Sequence, residues 1–404
     1  MFKLNDRANH AVFAIVTLLF WASPYVYVPI LSPYLEELGA SYTIAGIVLG
    51  SYGLMQIILR LPFGITSDKL RRRKPFVLLG MLCATLSCVS LASSETVGWA
   101  LAGRILSGIS ASTWVAFTVM YAGYYRSNEA TRAMGNISLL IASGQLAGMI
   151  LSGLLVEWGG WLAPFATGGL FGFVGLLLAF LLKEPEERQG GQPMRVGDLL
   201  PVMKERLLLK VSTLSILAHG ILFITMFGFT PSYALSLGAS KAELTWLSAA
   251  FMIPHALFAY LSGRYLAPRF GAWNVVLTGL AMSALCSALT PLVADFRLLL
   301  ATQALNGLFQ GLHFPLLLGL AIERIDGDRR ATAMGFYQAV YAIGMFAGPF
   351  VAGFLNETGG LRSGFYFAGL LGAAAAALAL RWKRAAAEAS AARIRGNERS
   401  KTVT

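Results

Sequence analysis

The sequence predicts an all-helical integral membrane protein with twelve membrane-spanning helices, because it is strongly apolar and its apolar residues lie in long runs. Hydrophobic residues make up 56% of the 404 residues and charged residues only 13%, whereas a soluble protein is charged at roughly a quarter of its positions. The runs are about 20 residues long, which is the length that a helix needs to cross a bilayer. They do not alternate in polarity, so a transmembrane barrel is excluded.

Apolar runs between polar breaks place the predicted helices along the chain. The runs lie near residues 11–33, 44–64, 75–93, 97–121, 133–156, 162–182, 211–232, 244–263, 272–293, 298–321, 333–355 and 363–381. The first run is longer than the apolar core of a signal peptide, so it is expected to remain as a helix.

A polar segment divides the runs into two sets of six. The division predicts an N-terminal six-helix bundle at residues 1–182, a central loop at 183–210, a C-terminal six-helix bundle at 211–382 and a tail at 383–404. We expect the chain to work as a monomer surrounded by lipid.

The formal net charge of +12 is explained by membrane topology rather than by a nucleic-acid partner. An even number of spans puts both termini on one side. The loops of that side hold Lys69, Arg71, Arg72, Arg73, Lys74, Arg126, Arg132, Arg264, Arg269, Arg324, Arg329 and Arg330. The opposite loops hold only Lys241, Arg297 and Arg362. The positive-inside rule therefore predicts that the termini, the central loop and the tail lie in the cytoplasm of a bacterial-type plasma membrane.

The cysteines and histidines do not form a metal or disulfide pattern. Cys83, Cys88 and Cys286 all lie inside apolar runs, where an odd number of thiols is typical of small apolar side chains in the core. The four histidines, His10, His219, His255 and His313, do not have the spacing of metal ligands. No metal and no cofactor are expected, and a membrane-embedded enzyme or receptor is only a remote alternative.

The two sets of runs repeat each other at an offset of about 200 residues, as expected for a transporter built from two halves. Leu-Gly-Ala-Ser at 38–41 recurs at 237–240, and Ala-Met-Gly at 133–135 recurs at 333–335. The fifth and eleventh runs also share a glycine spacing, which predicts close helix packing. These glycines are Gly144, Gly148 and Gly153 in the first copy, and Gly344, Gly348 and Gly353 in the second. Two bundles of the same orientation, related by an axis along the membrane normal, explain this register.

The segment after the second run reads FGITSDKLRRRKP. It resembles the signature of the major facilitator superfamily between its second and third helices. The residues that carry the resemblance are Gly64, Asp68, Lys69, Arg72 and Arg73. Arg71 stands where the signature has a second glycine. The resemblance implies a twelve-helix transporter in which this loop gates the cytoplasmic side during alternating access.

The motif also has a physical interpretation as a gate. Gly64 allows a neighbouring helix to approach closely, and Asp68 lies where loop cations and a helix end can hold it. The second copy, RYLAPRFG from Arg264, has Pro268 where Asp68 stands in the first copy. Only the first copy can therefore form a carboxylate latch.

Arg104 lies about seven residues into the fourth run, which is roughly 10 Å below the membrane surface at about 1.5 Å per residue. An arginine at that depth needs a partner or a wet cavity. The segment RILSG from Arg104 resembles the fourth-helix motif of the superfamily, which implies a role in proton coupling or substrate contact. Arg60, near the end of its run, can instead reach the interface. His219 and His255 are either packed hydrogen-bonding groups or titrating groups.

A polar stripe is predicted to line a central cavity. Arg104, Ser107, Ala111 and Trp114 in the fourth run map onto Gln303, Asn306, Gln310 and His313 in the tenth, at an offset of 199. Steps of three and four residues keep each set on one helical face. Such a face avoids lipid, although the amides can also simply bond neighbouring helices.

Aromatic residues are predicted to complete the cavity wall, or else to face lipid or the interfacial belt. They are Trp21 and Tyr25 in the first run and Tyr337 and Tyr341 in the eleventh. The first, fourth and fifth runs have no Asp or Glu near their middle, so a cation is a poor candidate for the cargo.

The expected function is secondary active transport of a small organic molecule. The first interpretation is proton-coupled efflux of an amphipathic neutral or anionic compound. The Gly-Pro pair of the superfamily's exporters is not in the fifth run, where Met149 follows Gly148; it appears instead as Gly348-Pro349. An uptake symporter for an organic anion or a sugar-like metabolite therefore stays open as the alternative.

Overall fold

The computed structural model describes residues 6–93, 96–125, 129–185, 201–326 and 329–401. Within these ranges the chain is helical and has no strand. Twelve helices are long and apolar enough to cross a membrane. They are α1 (Ala8–Glu37), α2 (Tyr42–Leu70), α3 (Lys74–Ala92), α4 (Val97–Gly123), α5 (Ala133–Gly159), α6 (Leu162–Ala179), α7 (Arg206–Ser236), α8 (Leu244–Phe270), α9 (Ala272–Leu292), α10 (Phe296–Ile322), α11 (Thr332–Gly359) and α12 (Arg362–Arg384). Each predicted run corresponds to one of them, which confirms the predicted fold.

Several helices extend beyond their apolar runs, because polar residues continue a helix where it leaves the hydrocarbon. Helix α7 begins at Arg206, inside the predicted central loop, and the Glu205 side chain caps it by accepting the Leu208 N–H at 2.6 Å. Helix α12 continues as one helix to Lys401, through most of the predicted tail. Residues 186–200 of the central loop and 402–404 of the tail lie outside the described residues.

Helices α1 and α7 are both interrupted at corresponding places in the two halves. In α1 the regular helix stops at Tyr25 and resumes at Val28, with Pro29 in its new first turn. In α7 a π-helical segment spans Thr225–Phe229, and Pro231 follows it. Proline has no N–H to donate, so it is tolerated in a first turn but breaks a helix interior. These interruptions lie beside the central cavity described below.

The repeated Leu-Gly-Ala-Ser segments form the same turn in both halves. Gly39 and Gly238 have left-handed φ angles of 78° and 87°. The residue after each glycine bonds back to the preceding helix: the Ala40 N–H donates to the Leu35 carbonyl at 2.9 Å, and the Ala239 N–H donates to the Ala234 carbonyl at 3.1 Å. This is the hydrogen bond that ends a helix when glycine follows it. The sequence repeat is therefore also a structural repeat.

The glycines shared by α5 and α11 lie at helix contacts. Gly144 and Gly148 contact the α1 backbone, and Gly344 and Gly348 contact the α7 backbone, so these four join helices within one half. The third glycine of each set joins the two halves instead: Gly153 contacts α8 near Thr245, and Gly353 contacts α2 near Gly46. A Cβ at any of the six positions would collide with a neighbouring backbone atom.

The two halves meet along α2 with α11 and along α5 with α8. Their contacts include the end of the bundle that carries the turns at Gly39 and Gly238, which we call the glycine-turn end. There Thr43 N–H donates to Glu357 at 3.4 Å, and the Ser232 hydroxyl donates to the Ser32 hydroxyl at 2.8 Å. The other end carries the loop after Asp68, and we call it the Asp68 end. In this structure the halves are joined at the glycine-turn end.

Candidate functional site

A cavity of about 300 Å³ lies between the two halves. Eight helices line it: α1, α2, α4 and α5 from the first half, and α7, α8, α10 and α11 from the second. The lining residues are Trp21, Tyr25, Tyr52, Gln56, Arg60, Trp114, Ile141, Gln145, His219, Leu222, Phe223, Phe227, Phe251, Met252, His255, Phe314, Leu318, Gln338, Tyr341 and Met345. This lining combines aromatic rings, amides, histidines and one arginine, and it has no carboxylate among the described residues.

The first half contributes an aromatic wall. Trp21 lies with its ring centroid 5.0 Å from that of Trp114 and 5.9 Å from that of Tyr25. Behind them, Phe20 stacks on Trp114 at 5.8 Å and so fixes the indole in place. Helical spacing explains the arrangement, because residues four apart on α1 share one face. Large rings held in this way offer apolar area to a ligand at a small entropic cost.

Arg60 and two rings form a stack on the cavity wall. The Arg60 Nη1 donates to the Tyr341 hydroxyl at 3.2 Å, and its Nη2 donates to the Ala111 carbonyl at 3.3 Å. His219 stacks on Tyr341 with centroids 3.9 Å apart and an angle of 3° between the rings. Arg60 is only 3% exposed, so it does not reach the interface as the sequence allowed. Its position at the cavity depends on how α2 packs against α11, which the sequence pattern does not show.

Arg104 lies beside this cavity rather than on its wall. It is 1% exposed, and its guanidinium carbon lies 4.4 Å from the centroid of the Tyr52 ring, a cation–π contact. With Tyr25 and Phe227 it lines a small adjoining void. No acidic side chain of the described residues pairs with Arg104, and the Arg104 Nε has no hydrogen-bond partner among those residues. In the described part of the chain the cation is therefore buried without a counter-charge.

The predicted polar stripe of α10 does not border the cavity. The four side chains are at most 1% exposed and face the interior of the second half. Asn306 accepts from the Ser283 hydroxyl of α9 at 2.9 Å and from Gln310 at 3.2 Å, and His313 packs beside Gly279. The stripe avoids lipid by packing against α9. The cavity face of α10 is formed instead by Phe314 and Leu318.

Two other residues predicted for the cavity also point elsewhere. Ser107 is 3% exposed and lies beside the Tyr27 hydroxyl. Tyr337 is 1% exposed, and its hydroxyl lies 2.6 Å from that of Ser215. Trp21, Tyr25, Trp114 and Tyr341 are thus the members of the predicted set that the structure brings together at the cavity.

The predicted gating motif forms a compact cluster at the Asp68 end. Arg73 pairs with Asp68 at 2.6 Å and donates to the Ser67 hydroxyl at 2.9 Å. Glu184 accepts the backbone N–H groups of Arg73 and Lys74, so it caps the start of α3. Ser67 and Glu184 were not singled out by the sequence motif. The link to Glu184, 111 residues away from Arg73, is visible only in the folded chain.

The other motif residues are arranged around this cluster. Gly64 is buried, and its carbonyl accepts from the Ser67 hydroxyl at 2.9 Å. Lys69 and Arg72 are exposed. Arg71 ends α2 in the left-handed conformation, with φ 51°, and it is the only non-glycine residue with positive φ in the described part of the chain. The arginine at the signature's glycine position thus adopts the left-handed conformation that glycine adopts most easily.

Comparison with known proteins identifies the family of this fold. The sequence profile of the Major Facilitator Superfamily matches residues 13–235 and again 211–403. The chain is 25% identical to the tetracycline resistance protein, class C, of Escherichia coli, over 80% of this chain and 83% of that protein. It is 23% identical to the quinolone resistance protein NorA of Staphylococcus aureus, over 82% and 85%.

Solved structures share the fold at lower identity. A bacterial homologue of the human lysosomal transporter Spinster, inward-facing and unoccupied, superposes with a TM-score of 0.79 at 14% identity, covering 95% of this chain and 98% of that one. The nucleoside transporter NupG gives a TM-score of 0.76 at 16% identity, with coverage of 93% and 98%. At these identities the likeness concerns the fold alone.

Proposed function

We propose that this chain, which belongs to the Major Facilitator Superfamily and is a membrane transporter of that family, carries amphipathic organic anions by alternating access. The observation that carries the proposal is the pair of buried arginines at the centre of the molecule. Arg60 and Arg104 are 3% and 1% exposed, and neither pairs with a carboxylate among the described residues. A buried cation without a counter-charge is costly, and a bound anion would supply the missing charge.

The aromatic wall supports an amphipathic cargo. One part of the cavity wall is aromatic and consists of Trp21, Tyr25 and Trp114. Another part carries the positive charge, where Arg60 of α2 bonds Tyr341 of α11. A ligand with a ring at one end and an anionic group at the other matches this division. The volume of about 300 Å³ is at the small end of the usual range for small-molecule sites.

The contacts between the halves support alternating access. Opening the cavity at the glycine-turn end requires the hydrogen bonds from Ser232 to Ser32 and from Thr43 to Glu357 to break. The basic loops indicate that the Asp68 end faces the cytoplasm. This structure then corresponds to a state closed toward the outside. The pair of Asp68 and Arg73 is already formed within one half in this state, so it would act as a latch that keeps the loop in the shape needed to close the cytoplasmic side.

Export and uptake are supported by different observations. The relatives named for tetracycline and quinolone resistance favour export. The cavity itself favours uptake together with protons, as the second candidate. Its titratable lining groups include His219 and His255 but no carboxylate among the described residues, so a proton and an anion would stabilise each other in the site instead of competing for it.

A pair of probes of equal size tests the choice of cargo. The purified protein is reconstituted in liposomes, and counterflow is measured with 1-naphthalenesulfonate and with 1-naphthyltrimethylammonium, which carry fixed opposite charges. We expect counterflow of the sulfonate and little of the ammonium ion. Arg60→Gln and Arg104→Gln should each reduce sulfonate counterflow. Faster counterflow of the ammonium ion would contradict the proposal.

A further inference from the structure

Three of the four histidines of the chain converge on one phenylalanine ring. The Phe314 centroid lies 4.7 Å from that of His219, 4.8 Å from that of His313 and 5.8 Å from that of His255. These histidines come from α7, α10 and α8, so the helices of the second half bring them together. We call His219, His255 and His313 the histidine cluster.

The hydrogen bonds of the cluster leave ring nitrogens available to accept a proton. His219 Nδ1 lies 2.8 Å from the Ser215 carbonyl, and a carbonyl only accepts, so Nδ1 carries the hydrogen and Nε2 keeps its lone pair. His255 bonds the Gly307 carbonyl, while its Nδ1 has no partner in the described chain. Both histidines border the cavity. Each therefore presents an unprotonated nitrogen in the binding region.

The third histidine extends the cluster into the protein. His313 is 1% exposed, and its ring has at most one weak contact, with the Phe309 carbonyl one turn earlier, so at least one ring nitrogen has no hydrogen-bond partner among the described residues. Buried polar atoms are usually paired with protein or with ordered water. These atoms, together with the unpartnered Gln310 Oε1 one turn away, provide places for a water molecule or a transferred proton behind Phe314.

Few charged or titratable groups face the cluster. Arg60 approaches from α2, and Tyr341 and Tyr337 approach from α11. The other described groups that these contacts place near the cluster are neutral. They include Gly279 on α9, Gln145 on α5, Gln338 on α11 and, beside Gly220 next to His219, Leu371 on α12. An imidazolium here therefore has a cation nearby and no anion among the described residues.

We propose that the histidine cluster is the proton-binding site of the transporter and that it takes up a proton together with the organic anion. This inference rests on the proposed function. The bound anion supplies the charge that an imidazolium beside Arg60 needs, so each of the two ligands strengthens binding of the other. The proton adds to a free ring nitrogen, and no bond of the cargo changes. Repulsion between neighbouring imidazolium ions limits the cluster to one proton at a time.

The proposal fixes the sign of coupling. If proton and anion bind to the same state, they cross the membrane in the same direction, and a proton gradient drives the anion toward the alkaline side. With one proton for each anion, a difference of one pH unit would accumulate the anion about tenfold. Competition between proton and anion would produce the opposite direction.

The unmodified protein tests the sign directly. Proteoliposomes loaded with the pH indicator pyranine receive 1-naphthalenesulfonate outside at equal pH on both sides. The fixed charge of the sulfonate excludes a pH change from permeation of a protonated cargo, and valinomycin with equal K⁺ on both sides prevents a membrane potential from driving protons through the lipid. We expect the interior to become acidic. An alkaline interior, or anion entry with no change in internal pH, would overturn the proposal.

Substitutions test the residues. We expect His219→Gln, His255→Gln and His313→Gln, singly and combined, to lower the accumulation ratio of the sulfonate, inside over outside under a pH gradient, toward one. His10→Gln is the matched control, because His10 packs among Tyr121, Tyr124 and Tyr125, away from the cluster. An unchanged ratio in the cluster variants would overturn this inference while the proposed function stands. Absence of sulfonate counterflow in the unmodified protein would overturn both.

Discussion

Ser32 on α1 and Ser232 on α7 lie 200 residues apart in the sequence, and their hydroxyls meet at 2.8 Å between the two halves. That separation is close to the repeat offset, so nearly equivalent parts of the two copies touch each other. Two equivalent positions that a two-fold axis relates can touch each other only close to that axis. The hydrogen bond therefore marks where the pseudo-two-fold axis leaves the protein at the glycine-turn end.

A disulfide at this position should lock the transporter. Cys83, Cys88 and Cys286 are first replaced by serine, and Ser32→Cys and Ser232→Cys are then combined. The two hydroxyls meet at 2.8 Å, so thiols at these positions would face each other, as a disulfide requires. We expect oxidation to stop transport and a reductant to restore it, while each single variant is insensitive. Full transport by the cross-linked protein would show that this contact does not open during the cycle.

The pair of Asp68 and Arg73 should be needed for turnover. Asp68→Asn keeps the size of the side chain and removes the charge that Arg73 contacts at 2.6 Å. A hydrogen bond to a charged group contributes about 1.5–3 kcal/mol, so we expect counterflow to fall about tenfold or more. Asp68→Glu is the control that keeps the charge. Membrane expression is measured in parallel, and normal counterflow by a well-expressed Asp68→Asn protein would argue against the latch.

Arg71→Gly should stabilise the protein. A non-glycine residue in the left-handed region lowers stability by about 1–2 kcal/mol. Replacing it by glycine removes that strain but lowers stability by about 0.4–1 kcal/mol, because glycine raises the entropy of the unfolded chain. We therefore expect a net gain of about 0 to 1.6 kcal/mol, measured as thermal unfolding in detergent. Arg71→Ala removes the same guanidinium but keeps the strained φ of 51°. If the alanine variant proves more stable than the glycine variant, backbone strain is not the reason.

Arg104→Lys should impair anion transport although the charge is kept. Lysine has no planar guanidinium to stack on Tyr52, and a desolvated cation–π contact contributes about 2 kcal/mol. We expect sulfonate counterflow to fall about tenfold or more. Arg297→Lys, on an exposed residue at the glycine-turn end, is the matched control. Equal transport by both variants would mean that Arg104 acts only as a point charge or not at all.

Thiol labelling should separate the cavity from the α10 stripe. Cysteines at Gln145 and Gln338 border the cavity, so we expect them to react with a water-soluble thiol reagent and to be protected by 1-naphthalenesulfonate. A cysteine at Gln310, which is fully buried against α9, should react slowly and should not be protected. Rapid, protectable labelling at Gln310 would place the binding site on the stripe after all.

The sequence was sufficient to predict the twelve helices, because a membrane requires a minimum apolar length for each span. Each apolar run can be recognised by itself, without knowledge of its neighbours in the fold. It was less informative about the site. One face of α10 avoids lipid, as the spacing of Gln303, Asn306 and Gln310 indicates. The spacing does not show whether this face packs against α9 or lines a cavity. Arg60 lies near the end of its run, and only the packing of α2 on α11 gives it Tyr341 as a partner.

The aromatic wall also gives the protein an optical signal of its own. Trp21 and Trp114 lie 5.0 Å apart at the cavity, and indole emission responds to the polarity around the ring. Of the eight tryptophans in the chain, this pair borders the described cavity. A protein that keeps these two and has phenylalanine at the other six would report occupancy of the cavity by fluorescence, without a transport assay and without a labelled cargo. Unknown compounds could then be screened against the purified protein in detergent.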